Sequence, residues 1–392
     1  MRIKYVHHGL WPSASPSTTF VTWNAFGFAE LGADFELLTV ANTTATIDRV
    51  LEQEFGILTP VPVRLLRAGP FRRSHRLVHL LAFCHLLFAR WGVLMTRNLG
   101  FLPWALLLRR LRGGRVVFES HDFYADASLR DDPAGRSGEK QARRERRWLP
   151  RADGVLCVSE PQRQYYLRSF PNQRFFTAVS GVKSSNRRGA RRRSGGTTIG
   201  YLGSFDADRY DLDLVLRSIG LVAVPGCRLL MVGARSQAEA DAMRERAASL
   251  GVGDRVEVSA WQSPRELEAV KARLDLGLAP LAITPRNHIG TPLKVLEYLA
   301  YGIPTVGSDL PGIRDLLDRG PCGLVAEATP AAWAAAITRV LTEPALAASL
   351  SAAALVRAGE LSWGRRAERI MEFLGESSSG RRLGESLPSP HP

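Results

Sequence analysis

Twice along the chain, short apolar runs alternate with stretches of helical period, and the two arrays are separated by residues 183–196, an Arg-, Ser- and Gly-rich segment with no apolar periodicity. Strands that follow one another through helices pair in parallel, and a parallel sheet must be covered on both faces. The first array predicts strands at 3–6, 35–40, 93–96, 116–118 and 155–158, and an amphipathic helix over 17–31 that closes on Gly32. The second predicts strands at 198–202, 228–232, 256–259, 275–279 and 305–306. Its helices are expected over 212–224, over 237–250, from 263 onward, over 291–301 and through most of 330–374. Two such arrays define an α/β chain with two Rossmann-like βαβ domains facing a central cleft. The expected divisions are an N-terminal domain over 1–182, a linker over 183–196, a C-terminal domain over 197–374 whose last helix is free to pack back on the first domain, and a disordered tail over 375–392.

Charge separates the two halves. The whole chain of 392 residues carries a net +14. Residues 1–196 hold 31 Lys and Arg against 15 Asp and Glu, a net of +16, whereas residues 197–392 hold 21 against 23, a net of −2. The first half is therefore expected to face something anionic. A nucleic acid is not the expected partner: no RRM, KH, zinc-finger or helix-turn-helix pattern is present, and aromatic residues do not interleave with the Arg run. Cys84, Cys157, Cys227 and Cys322 are widely spaced, which excludes a zinc ribbon or a disulfide scaffold and suits a reducing cytosol. The opening residues enter a strand directly, so no signal peptide is expected. The longest uncharged run in the most apolar region is 77–89, short of the roughly 20 residues of a membrane span. Arg72, Arg73 and Arg76 precede that apolar stretch, and Arg109, Arg110, Arg112 and Arg115 follow the next. A cytoplasmic protein, peripheral on the inner face of a membrane, is the expectation.

The densest chemical signal runs from His288 to Val306. Thr291 is expected to cap a helix with Pro292 at its first position and Lys294 at its third, and Gly302 and Pro304 to end it. A helix N-terminus presents unpaired N–H groups and partial positive charge to a phosphate, and Lys294 can reach a phosphate held there. Glu297, one turn on, can accept hydrogen bonds from a ribose diol. One helix thus offers the two sites that a nucleoside diphosphate needs.

The stretch Pro292, Lys294, Glu297, Tyr298, Ala300, Gly302 and Pro304 resembles the signature P-x-K-x-x-E-Y-x-A-x-G-x-P of the retaining GT-B glycosyltransferases of family four. The likeness extends over nearly the whole chain. Residues 198–204 look like the first strand and phosphate loop of that family's nucleotide domain, and residues 229–233 like its second strand. Residues 151–159 resemble the last strand of its N-terminal domain and residues 118–122 its acceptor-side His loop. The resemblance implies transfer of a hexose from a nucleotide diphosphate sugar to a glycan or lipid-linked acceptor with retention, and no metal or other cofactor. Lys294, Arg209 and His121 take the catalytic roles, and Glu297, Gly203, Ser204, Gly290, Thr291, Pro292 and Leu293 bind substrate. Cations aimed at the leaving diphosphate would stabilise its developing charge. The chain departs from the family at Ile289, where a sugar-binding Glu is usual, at Ser204, where Arg is common, and at residues 10–17, which replace a glycine-rich loop. Backbone N–H groups within the stretch 290–293 are then expected to read the sugar.

His121 follows a strand end, where ligands collect in open α/β sheets; Glu119 reads as structural, and His7 and His8 as secondary candidates for acceptor contact. Asp206-x-Asp208 and Asp211-x-Asp213 resemble metal-binding triplets of single-domain glycosyltransferases, but their place at a helix start is one where Asp caps. The rival enzyme reading is a UDP-N-acetylhexosamine epimerase of the same fold, and the rival of another class is a basic nucleic-acid-binding protein.

Overall fold

The computed structural model describes residues 1–13, 15–129, 136–183, 197–262, 264–318 and 320–376. The linker expected over 183–196, beyond Lys183, and the tail from 377 lie outside the described residues.

In the first half the order is β1 (Ile3–Trp11), α1 (Pro16–Glu30), β2 (Phe35–Ala41), α2 (Ile47–Val50), β3 (Val63–Leu66), α3 (His75–Phe88), β4 (Val93–Thr96), α4 (Leu102–Arg112), β5 (Arg115–Ser120), α5 (Arg136–Trp148), β6 (Gly154–Cys157), α6 (Glu160–Ser169) and β7 (Phe175–Thr177). The second half runs β8 (Thr197–Leu202), α7 (Leu212–Leu221), β9 (Cys227–Ala234), α8 (Gln237–Ser249), β10 (Val256–Ala260), α9 (Pro264–Lys271), β11 (Leu276–Ala279), α10 (Pro285–Ile289) and α11 (Leu293–Ala300). It continues through β12 (Thr305–Ser308), α12 (Pro311–Leu317), β13 (Gly323–Ala326), α13 (Pro330–Thr342), α14 (Pro344–Glu360) and α15 (Trp363–Glu376).

The strands form a seven-stranded sheet, β3-β2-β1-β4-β5-β6-β7, and a six-stranded sheet, β10-β9-β8-β11-β12-β13. Every pairing is parallel. All residues of β4, β6, β11 and β12 are buried, as expected for strands covered by helices on both faces. These are the two Rossmann-like domains that the alternation predicts. In each sheet the strand order reverses once, between β1 and β4 and between β8 and β11, and a crevice opens at the C-terminal ends of the strands flanking such a reversal.

The strands that the sequence does not signal, β3, β7 and β13, are all edge strands and only partly buried, so they lack the continuous buried apolar run that marks β4, β6, β11 and β12. β1 is longer than predicted because it runs past a register shift between Val6 and Leu10. The final helix leaves the second domain: Trp363, Ala367, Ile370, Phe373 and Leu374 of α15 join the first domain's core beside Trp11, Phe28 and Val93.

Candidate active site

At the second domain's reversal, β8 ends in Leu202 and the chain turns at Gly203 with φ +148°. Its N–H donates to the Val232 carbonyl at 2.9 Å, and a Cβ on Gly233 of β9 would come within 2.1 Å of the Gly203 carbonyl oxygen. The two strand ends are therefore pressed backbone to backbone. A Cβ on Gly203 would in turn lie 2.9 Å from the Lys294 ammonium. The backbone conformation favours glycine at Gly203, and a Cβ there would push the Lys294 ammonium from its place.

Lys294 sits under this loop. It is buried, and its Nζ lies 3.9 Å from the Tyr201 ring centre and 3.6 Å from that of Tyr210, with no hydrogen-bond partner among the described residues. Burial pushes its pKa well below the usual lysine range, opposed by Glu297. An anion at the Gly203 loop would supply the missing counter-charge and restore the cation. The two aromatic faces hold the ammonium by cation–π attraction and fix where that charge acts.

The helix carrying Lys294 opens later than predicted. Pro292, not Thr291, is the N-cap of α11, and Lys294 is its second residue. The Thr291 hydroxyl does not cap; it donates to the Val158 carbonyl of the first domain at 2.6 Å. The first turn of α11 consequently carries no side-chain cap, while Leu293 points its side chain outward, 52% exposed. Gly290 lies close to α12, where a Cβ on Gly312 would come within 2.4 Å of its carbonyl oxygen. Ile289 is buried in the first domain's core, and its carbonyl accepts from the Ser159 hydroxyl. Thr291 and Ile289 thus act as a seam between domains.

Glu297 does not lie on the buried face with Lys294. Its side chain is 52% exposed and pairs with Lys271 of α9 at 2.8 Å. Lys271, which also lies over the Tyr301 ring, was not singled out from sequence, because it lies 26 residues from its partner. Ser204 offers its carbonyl to the Tyr201 hydroxyl at 2.5 Å. The Arg209 carbonyl is held by Asn287 at 3.0 Å and by the Ala282 N–H at 2.9 Å, and its charge opposes the rise that burial causes in the Tyr210 pKa. His288 donates to the Thr284 carbonyl at 3.0 Å. The acidic triplets have local roles: Asp206 accepts from the Asp208 N–H at 3.1 Å, Asp211 caps α7 through the Leu214 N–H, and Asp213 pairs with Arg246.

Across the cleft, His121 follows β5 and packs edge-on against Phe20, ring centres 4.4 Å apart. Its Nε2 lies 3.6 Å from Glu119, and burial keeps its pKa below the ordinary histidine value. His121 is therefore a neutral imidazole at the mouth of the sheet. The next residue, Asp122, faces Arg286 of α10 at 3.9 Å, a second link between the domains.

Residues 17–177 match the family model described as "Glycosyl transferase 4-like domain", and residues 196–343 match "Glycosyl transferases group 1". Among curated relatives, D-inositol 3-phosphate glycosyltransferase of Rhodococcus opacus (strain B4) is 31% identical over 37% of this chain and 32% of its own length. The protein of that name from Thermomonospora curvata is 27% identical over 55% of this chain and 52% of its own. The chain thus spans about a third to a half of the length of the curated relatives it matches. Sucrose-phosphate synthase from Thermosynechococcus elongatus superposes with a TM-score of 0.71 at 18% identity over 97% of this chain and 100% of its own. HepE of Anabaena, solved with UDP and glucose, gives 0.68 at 14% identity over 96% and 100%. Fold and cleft together define a two-domain protein of the GT-B class. Within it, the chain belongs to the family-four type, group 1 glycosyltransferases.

Proposed function

We propose that this protein is a retaining hexosyltransferase that takes its sugar from a nucleotide diphosphate sugar and places it on a glycan or lipid-linked acceptor in cell-envelope or exopolysaccharide synthesis. The observation that carries this reading is the buried, unpartnered Lys294 ammonium beneath the Gly203 loop, next to a helix start that no side chain caps. HepE has been solved with UDP-glucose, and the curated relatives are named as glycosyltransferases, which favours a sugar nucleotide as donor.

The chemistry follows from charge. As the bond between the anomeric carbon and the diphosphate oxygen breaks, Lys294, Arg209 and the first turn of α11 face the oxygen that gains negative charge. The acceptor hydroxyl forms the new bond on the face the diphosphate leaves, and its proton passes to that diphosphate oxygen. Glu297, held by Lys271, binds the ribose. His121, neutral at pH 7, hydrogen-bonds a hydroxyl of the sugar or acceptor. Protein cations fill the role of a metal, so no metal cofactor enters this scheme.

The working place we infer is the cytoplasmic face of a membrane, with α3 and α4 toward anionic lipid. No helix among the described residues is by itself long and apolar enough to cross one. A thermal-shift panel of nucleoside diphosphates and their sugars tests the donor assignment: a ligand at 100 times its dissociation constant stabilises by about 2.7 kcal/mol. A panel in which no nucleotide shifts the transition would overturn it.

A further inference from the structure

The first domain's wall of the cleft gathers histidines and an arginine around β1, the end of β4 and the start of α3. The register shift in β1 lies between Val6 and Leu10, and the irregular segment carries His7 and His8. The His8 ring lies 4.2 Å from His75 and 5.5 Å from His79, centre to centre, and these two come from the first turns of α3. Asn98 orients the group. Its Oδ1 accepts from the His8 N–H at 2.9 Å, which leaves its amide nitrogen to donate to His8 Nε2 at 3.4 Å. His8 therefore carries its proton on Nδ1 and donates to His79 Nε2 at 3.4 Å, and His79 keeps its own Nδ1–H.

Three further observations point to an anion. The first turn of α3 has no acidic residue; it holds His75 and Arg76, with Arg72 and Arg73 just before it, all against the helix dipole. Arg97 follows β4 at the other side of the strand reversal, its guanidinium 5.4 Å from the Phe20 ring centre, and it has no ion-pair partner among the described residues. Finally, burial and then neighbouring bases, Arg97 among them, push His7 and His8 down to about 3, while burial, His75 and Arg144 push His79 to about 4. His7 is buried, and among the described residues neither of its ring nitrogens has a hydrogen-bond partner.

We propose that this wall is a phosphate subsite, at which the acceptor is held by a phosphate ester between the first turn of α3, His75, His79 and Arg97. The inference rests on the glycosyltransferase reading and adds the class of its acceptor: a hydroxyl compound that already bears phosphate. The same chemistry occurs in a soluble polyol phosphate and in the headgroup of a phosphoinositide-type lipid.

The test uses the full chain carrying Lys294→Met, which removes the charge at the diphosphate loop. Inorganic phosphate, D-inositol 3-phosphate and free inositol are titrated by calorimetry at low salt. The expected result is saturable binding of D-inositol 3-phosphate and phosphate but not of inositol, weakened tenfold or more by adding Arg97→Gln or His75→Ala. His75 is exposed, so its replacement leaves folding intact. No binding of either phosphate compound, undiminished binding in both added variants, or inositol binding as tight as its phosphate would each overturn the proposal. Vesicles containing phosphatidylinositol, sedimented with the same variants, separate the sources: pelleting lost with Arg97→Gln and His75→Ala assigns the lipid headgroup, and ester binding without pelleting assigns a soluble acceptor. Nucleoside diphosphate binding to the parent chain is read in parallel, so a failed donor site and a failed phosphate subsite give different results.

Discussion

Arg366 of α15 is buried against Glu119 of β5, so the last helix among the described residues supplies the counter-charge for a carboxylate inside the first domain. Arg366 also donates to the Asn24 side chain and, at 3.1 Å, to the Val179 carbonyl. The other Glu119 oxygen accepts from the Tyr5 hydroxyl at 2.6 Å. Burial alone would raise the Glu119 pKa, but Arg366, His121 and Tyr5 outweigh it and hold the group at about 2. Because that value lies below the unfolded one, the stability it confers is present above about pH 4.5 and is lost as pH falls toward 2. Arg366→Met should lower unfolding free energy by about 3–5 kcal/mol, since it strands a buried charge. Glu119→Gln with Arg366→Met should cost less than the two single changes together. Urea unfolding measures both; a single variant as stable as the parent would show that the pair contributes nothing.

Glu145 behaves in the opposite sense. Burial pushes its carboxyl up to about 7, although Tyr166 donates at 2.6 Å and the N–H groups of Ala125 and Tyr124 at 2.6 and 2.8 Å. Between pH 4.5 and 7 the folded chain keeps this proton and the unfolded chain has lost it, so the group's contribution to stability falls as pH rises through that window. Glu145→Gln removes the titration. The stability difference between variant and parent should shift by about 3 kcal/mol in the variant's favour from pH 4.5 to 7.5. A difference that stays flat with pH would contradict this.

Lys294→Ala should reduce turnover by roughly 10²-fold or more, because in the proposed reaction the deleted charge faces the leaving diphosphate. Glu297→Gln should chiefly weaken nucleotide binding, and Lys271→Met should reproduce part of that loss by releasing Glu297. Near-normal kinetics in both Lys294→Ala and Glu297→Gln would discard the donor-site assignment.

The fold was legible because strands buried on both faces leave continuous apolar runs, and β4 has the same bounds in sequence and structure, 93–96. The position of Lys294 was legible for a similar reason: Pro, Gly and Pro punctuate its helix on both sides. What escaped reading was tertiary. Thr291 has the composition of a cap, yet its hydroxyl is drawn to Val158, 133 residues away. Glu297 and Lys294 are three apart, but one faces Lys271 at the surface and the other the core, since a three-residue step turns a helix by about 300° rather than a full circle. Arg366 lies in a helix that local pattern assigns to the second domain, and only packing carries it 247 residues back to Glu119.

Transfer activity should persist in EDTA. Asp206, Asp211 and Asp213 are each engaged locally, with the Asp208 N–H, the Leu214 N–H and Arg246, so a metal would have to displace these contacts. Activity lost in EDTA and restored by Mn²⁺ would assign a metal to Asp206 and Asp208 instead.

The last prediction concerns the outer face of the first domain. α3 and α4 pack side by side, with Phe83 edge-on to Trp104 at 5.4 Å between ring centres. Both helices also leave large apolar side chains in the open: Leu80 and Phe88 on α3 are 44% and 81% exposed, and Leu107 and Leu111 on α4 are 43% and 56%. Leu80 and Phe88 are eight residues apart, and Leu107 and Leu111 four, so each pair lies along one helix face. Phe71, just before α3, is exposed as well, and Arg72, Arg73 and Arg76 at the start of α3 and Arg110 and Arg112 at the end of α4 are also exposed. Apolar side chains beside bases suit the interface of an anionic bilayer, where each well-placed Arg adds about 1 kcal/mol. The protein should pellet with vesicles containing phosphatidylglycerol at low salt, less so at high salt, and little with phosphatidylcholine alone. Phe88→Asp and Leu80→Asp, both at exposed positions, should reduce pelleting without lowering the unfolding midpoint. Equal recovery in the supernatant with both lipids at low salt would remove the membrane from the account while leaving Lys294 and its cleft untouched.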